Sequence, residues 1–547
     1  MRREQLVEAP LLSIRNLNVT GEVDGVHHPI LRDISLDLHH GEVLGLIGES
    51  GAGKSTIGLA ATGIFRPGCR ITGGSIEFDG VDLVRSPDAV TRKLRETRIA
   101  YVAQSAAASF NPAYRLLDQT IETTVINAVA TRADATRRAI ALYRQLQLPD
   151  PDNFGKRFPH QVSGGQLQRA IMAMAMMSDP DLIVFDEPTT ALDVTTQIEV
   201  LVAIRDLIAA RNLSAIYITH DLALVSQIAN RIMVLKNGET IEEAPTRTML
   251  AAPREEYTKS LWAVRNLSKD PVSESAILLR IENVSAGYAE QQVLQNATID
   301  VPKGHTVAVV GESGSGKSTL GRTIAGLLAP SSGTIKFDGE TLADDYRARD
   351  RSLLRRIQMI YQSADTALNP RQTVRKIIGR PLHIYGSLRG DALESESREL
   401  LRLVELQDRH FDRFPSELSG GEKQRVAIAR AIAAKPDLII CDEVTSALDQ
   451  IVKRDILLLL MRLQHELGIA YIFITHDIAT VRAIANEVVV MHRGVVVEQG
   501  NKNFILQPPH APYTELLLSS VPQLDAAWLT TLLANRNPNK SQPLQRI

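Results

Sequence analysis

GESGAGKST, from Gly48 to Thr56, follows the apolar run VLGLI and leads into a helical pattern. GESGSGKST returns at Gly311 to Thr319, behind TVAVV. Both fit G-x-x-x-x-G-K-[ST], a loop whose glycines turn backbone N–H groups around phosphate oxygens at a helix N-terminus. The first copy is Gly48, Glu49, Ser50, Gly51, Ala52, Gly53, Lys54, Ser55 and Thr56. The second is Gly311, Glu312, Ser313, Gly314, Ser315, Gly316, Lys317, Ser318 and Thr319. Lys54 and Lys317 suit the outer phosphates, and Ser55 and Ser318 suit Mg²⁺. A flexible Gly/Ser turn would explain one such stretch, but not two with the same strand-loop-helix context.

The duplication extends through the chain. Lys54 recurs 263 positions on, while Asp186 recurs as Asp442 and His220 as His476, each 256 positions on. That period is far too long for a solenoid, so each unit is a whole domain. A chain of 547 residues is also too long for one core. Domain one is expected over 11–262, a polar, proline-containing linker over 263–276, domain two over 277–522, and a polar, loosely held tail over 523–547. Short β-rich runs alternate with helical patterns in both units. The expected fold is α/β, with two tandem P-loop domains, each a mostly parallel sheet with an inserted helical subdomain, at 116–158 and 374–414.

Composition narrows the function. The 61 basic and 63 acidic side chains nearly cancel, which argues against a broad nucleic-acid footprint. No apolar run reaches the length of a membrane span, and MRREQLVEAP lacks the apolar core of a secretion signal, so a cytoplasmic location is expected. Cys69 and Cys441 lie in different halves and read as two free thiols.

Further motifs follow each loop in the same order. LIVFDEPTTALD and LIICDEVTSALD end buried strands at Asp186 and Asp442, where an aspartate reaches Mg²⁺. The adjoining Glu187 and Glu443 can take a proton from an attacking water. Between loop and aspartate stand VSGGQLQR, with Ser163, Gly164, Gly165 and Gln166, and LSGGEKQR, with Ser419, Gly420, Gly421 and Glu422. S-G-G alone could simply cap a helix.

Taken in order, these motifs resemble the nucleotide-binding domain of ATP-binding cassette (ABC) proteins, twice over and across nearly the whole chain. The resemblance implies that Gln104 and Gln362 sense Mg²⁺, that His220 and His476 contact the γ-phosphate, and that each signature caps ATP bound by the opposite domain. It further implies that Tyr288 stacks on adenine. No aromatic residue stands in register in the first unit, leaving either His27 or His28 in its place or no stacking at all.

N-P pairs in SFNP and ALNP, PPHAPYTELLLSSVP from Pro508, and a degraded copy, PREEYTKSLW from Pro253, resemble the oligopeptide, dipeptide and nickel importer ATPases. That resemblance implies ATP and Mg²⁺ as cofactors and a peripheral place on the cytoplasmic face of a bacterial inner membrane. Two integral-membrane permease subunits and, indirectly, a periplasmic solute-binding protein are the implied partners, without nucleic acid. Peptides are the expected cargo, with nickel, opines or oligosaccharides as alternatives. No iron–sulfur cluster is expected, because the extension lacks cysteine. A soluble tandem-cassette translation factor is a weaker reading, since such proteins carry a long charged linker and lack the switch histidine. A cassette DNA-repair ATPase is weaker still, for want of sustained heptads or zinc spacing.

Overall fold

The computed structural model describes residues 9–23, 25–190, 192–261, 267–269, 275–289, 291–446 and 448–535. It divides into two compact units. The first comprises the described residues of 1–192, 196–261 and 522–547, and the second those of 193–195 and 262–521.

Each unit is built on a six-stranded sheet. In the first, the order is Glu239–Pro245, Arg231–Lys236, Val43–Gly48, Ser214–Ile218, Leu182–Asp186, Ile99–Val102. All neighbours are parallel except the Glu239–Pro245 edge. The second repeats it as Val495–Asn501, Glu487–His492, Thr306–Val310, Ala470–Thr475, Leu438–Asp442, Ile357–Ile360. The central strands are buried at every position and apolar at nearly all, because helices cover both faces, which leaves no outward side to alternate. The phosphate-loop helices start at Lys54 and Lys317, directly off the central strands. Loop, aspartate and histidine therefore all emerge at the carboxyl ends of adjacent strands, where α/β sheets place ligands.

An antiparallel four-stranded sheet adjoins each core. In the first unit it runs Val26–Leu38, Leu12–Val23, Cys69–Phe78, Val81–Asp82, and in the second Gln291–Pro302, Ile277–Tyr288, Ser332–Phe337, Glu340–Thr341. The sequence reading did not anticipate these sheets. The inserted subdomains are helical, with Leu116–Ile126 and Arg132–Gln145 in the first unit and Val374–Gly386 and Gly390–Leu403 in the second.

The tail differs from its expected polar, loosely held character. Trp528–Asn535 forms a helix with Trp528, Leu529 and Leu532 buried. The Gln227 amide donates to the Gln523 and Asp525 carbonyls, and its oxygen accepts the Leu529 N–H. The apolar spacing in WLTTLL supplies the core contact; residues 536–547 lie outside the described residues. Most of the expected linker lies outside them too. Within it, Leu267 packs on the second unit's core, and the Lys269 ammonium donates to Thr306, Gln464 and Asn486. Among the described residues, no helix is long and apolar enough to cross a membrane.

Candidate active site

Three strand ends and two loops converge in the first unit. The Lys54 ammonium donates to the Gly48 and Glu49 carbonyls, at 2.8 and 2.7 Å, and so lies along its own loop. The Ser55 hydroxyl donates to Asp186 Oδ1 at 3.0 Å. Glu187 is the hub beside them. Its Oε1 stands 3.3 Å from His220 Nδ1, and its Oε2 accepts Gln104 Nε2 at 3.0 Å and the Thr190 hydroxyl at 2.9 Å.

The second unit repeats this almost atom for atom. Lys317 donates to the Gly311 and Glu312 carbonyls, and Ser318 to Asp442 at 2.8 Å. Glu443 meets His476 at 3.3 Å and Gln362 at 2.7 Å. Both glutamates have positive φ, 48° and 50°, a conformation that non-glycine residues adopt only at a cost of about 1–3 kcal/mol. Hydrogen bonds from their N–H groups to Ile218 and Ile474 help hold it. The turn aims each carboxylate into the cluster.

Burial alone would raise both glutamates. The hydrogen bond and charge of His220, with Thr190 and Lys54, bring Glu187 below the usual carboxylate range. His476 and Lys317 do the same for Glu443. Each therefore stands ionised at neutral pH and able to accept a proton. Burial, reinforced by the Glu443 charge, raises Asp442 despite the Ser318 hydroxyl, Arg322 and Lys317.

The signature serines cap their own helices. Ser163 Oγ accepts the Gln166 N–H while Gln166 Oε1 accepts the Ser163 N–H, and Ser419 with Glu422 does likewise. The second glycine of each is sterically required, because a β-carbon at Gly165 would stand 2.1 Å from Thr196 Cγ2 and one at Gly421 2.6 Å from Val452 Cγ1. Gly164 and Gly420 open the two helices.

Tyr288 ends its strand 44% exposed, and its hydroxyl accepts Arg322 Nη1 at 3.0 Å. The pairing Tyr288 with Gln291 corresponds to Gly21 with His28 in the first unit, so glycine occupies the aromatic position there. His27 and His28 are exposed on that hairpin. Sequence reasoning missed Tyr101, whose hydroxyl donates to Asp186 Oδ2 at 2.5 Å. Met359 holds the equivalent place and cannot make that bond. Nothing in the strand pattern IAYV marks the phenol as inward-reaching.

Two phosphate loops, each joined to an ionised glutamate, a glutamine and a histidine on a parallel sheet, define a nucleotide triphosphatase with two cassettes. The chain belongs to the ABC transporter family, whose model matches residues 31–190 and 294–446, and its class is an ATPase coupled to transport. The model described as oligopeptide/dipeptide transporter, C-terminal region, matches 497–545. Among curated relatives, "Glutathione import ATP-binding protein GsiA" of Salmonella paratyphi A is 34% identical, covering 95% of this chain and 91% of the relative. The protein of the same name from Pectobacterium atrosepticum is 35% identical over the same shares. Among solved structures, the archaeal ribosome recycling factor aABCE1, in complex with ribosomal stalk protein aP1, is 21% identical. It covers 88% of each chain with a TM-score of 0.61, a likeness of fold alone.

Proposed function

We propose that this chain energises a bacterial importer of short peptides, glutathione among them, by hydrolysing ATP in both cassettes. The observation that carries the reading is the oligopeptide/dipeptide C-terminal match at 497–545, beside likeness to the glutathione import proteins over 95% of the chain. Two separate integral-membrane permeases supply the channel, and a periplasmic binding protein delivers cargo to them. The chain then sits peripherally on the cytoplasmic membrane face.

Within each cassette, Lys54 or Lys317 neutralises the outer phosphates of ATP. Glu187 or Glu443 takes the proton of the attacking water, and His220 or His476 both orients that glutamate and contacts the γ-phosphate. Tyr288 stacks on the adenine of the second cassette. The signature loops at Ser163 and Ser419 contact bound nucleotide. The donors around Asp186 and Asp442 fit Mg²⁺, since a carboxylate and a serine hydroxyl within 3.0 Å of each other are hard oxygen ligands that leave room for phosphate oxygens. Ser55, Asp186 and Gln104, or Ser318, Asp442 and Gln362, would hold it. Bound there, the ion neutralises charge on the phosphates.

Co-expression with the integral-membrane permeases of the oligopeptide type from the same genome tests the reading. A stable complex whose ATPase rate rises with binding protein and glutathione or a dipeptide is the expected result. A chain that purifies alone under those conditions would overturn it.

A further inference from the structure

The C-terminal extensions touch the phosphate loops in both units. The Tyr513 hydroxyl, in PYT, accepts the Glu312 N–H at 3.0 Å. The Tyr257 hydroxyl, in EYT, accepts the Glu49 N–H at 3.3 Å. Sequence alone marks the EYT stretch as a degraded copy, yet it makes the same contact.

These N–H groups belong to a particular peptide unit. The peptide joining Gly48 to Glu49 presents its carbonyl to the Lys54 ammonium and its N–H to Tyr257. The peptide joining Gly311 to Glu312 likewise lies between Lys317 and Tyr513. Its surroundings are tight: a β-carbon on Gly48 would lie 2.2 Å from the Leu235 carbonyl oxygen, and one on Gly311 2.1 Å from that of Met491. The peptide plane is therefore held at both ends, by lysine and by tyrosine, beside a strand that crowds the glycine α-carbon.

The tyrosines are themselves well held. Lys236 Nζ sits 4.5 Å from the Tyr257 ring centroid, and His492, the equivalent residue, stacks on Tyr513 at 4.1 Å. The following threonines, Thr258 and Thr514, are fully or almost fully buried. Each extension is pinned to the edge strand by a matching carboxylate. Glu242 accepts the Arg254 and Glu255 N–H groups, and Glu498 accepts that of Ala511.

We propose that Tyr257 and Tyr513 are positioning residues for the phosphate-loop lysines. Each hydroxyl fixes the peptide whose other end seats the ammonium, so the extension sets the loop's readiness to receive ATP. Loss of the hydroxyl lets that peptide rotate, and the lysine loses its seat.

The test is a double-mutant cycle on the full chain, read by equilibrium binding of trinitrophenyl-ATP. Tyr257→Phe with Tyr513→Phe removes both hydroxyls and keeps the rings, so the thermal midpoint without nucleotide should stay within about 4 °C, even though Tyr257 also gives up a long donation to the Leu235 carbonyl. Affinity should fall about fivefold, the worth of one neutral hydrogen bond. In a Lys54→Ala, Lys317→Ala background, titrated to saturation because binding is weaker there, the same pair should change affinity less than about twofold, because no ammonium remains to be seated. An undiminished affinity in the lysine-containing chain would overturn the proposal. An equal loss in both backgrounds would overturn it too, by showing that the tyrosines act on the loop without the lysines.

Discussion

Lys317→Ala should leave only the first cassette able to bind ATP well, and Lys54→Ala only the second, so the two variants would expose each adenine site separately. In the second cassette the base can lie on Tyr288, whose ring is held by Arg322 and is 44% exposed. In the first, Gly21 stands in register, Ile30 Cδ1 would lie 2.7 Å from any added β-carbon, and Leu59 replaces Arg322. A base stacked on an aromatic ring contributes about 1–3 kcal/mol. A half-exposed ring contacting one face belongs near the lower end, about 1–1.5 kcal/mol, which is roughly a five- to tenfold difference in affinity. Calorimetric titration with ATP should therefore give the weaker binding in Lys317→Ala. Tyr288→Ala added to Lys54→Ala should remove the difference. Equal affinities in the two single variants would refute the reasoning, and a further loss on His28→Ala in Lys317→Ala would show that the histidine opposite Gly21 does the stacking.

Glu443→Gln keeps the hydrogen-bonding shape around His476 and Gln362 but removes the proton acceptor, so hydrolysis in the second cassette should slow by about a hundredfold or more while ATP remains bound through gel filtration. Asp477 is held well below the usual aspartate range: burial opposes this, and the Lys453 charge and hydrogen bond outweigh burial. Its depressed value means the stability it adds is present above its unfolded value, near 4, and is lost as pH falls below that. Lys453→Met should cost the second unit about 2–3 kcal/mol in denaturant titration at pH 7, below the range for a fully buried pair because Asp477 keeps 27% exposure, and the cost should shrink below about pH 4. Trp528→Ala removes the buried aromatic residue that opens the tail helix and should expose the tail to limited proteolysis before the rest of the chain; unchanged cleavage kinetics would show that the helix stays docked without it.

The candidate cluster was legible as a set of neighbours because its residues sit at strand ends with fixed chemistry, as Asp186 and Glu187 do after four apolar residues. The antiparallel sheets were not. Val26–Leu38 is exposed at many positions, and its bulged pairing with Leu12–Val23 breaks the alternation that would announce a strand. The tail helix was hidden by composition, since a polar segment averages away the four apolar residues of WLTTLL. Tyr257 and Tyr513 were visible as motif letters but not as contacts. Their hydroxyls reach peptides 208 and 201 residues away, and no local pattern encodes such a distance.

Comparison of the two cassettes separates chemistry from binding. The groups proposed to act on the γ-phosphate are the same residue types at nearly the same distances: Lys, Ser, Asp, Glu, Gln and His each have their counterpart. The differences stand one layer out. Tyr101 bonds Asp186 where Met359 cannot bond Asp442, which accepts from Ser318; Thr190 bonds the Glu187 carboxylate where Ser446 turns to the Glu443 carbonyl; Gly21 stands where Tyr288 does. None of these exchanges removes a proton acceptor or a phosphate-neutralising charge. They alter how firmly a carboxylate is oriented and how tightly a base is held, so any inequality between the sites should appear first in nucleotide and metal affinity, and only through occupancy in the rate of hydrolysis.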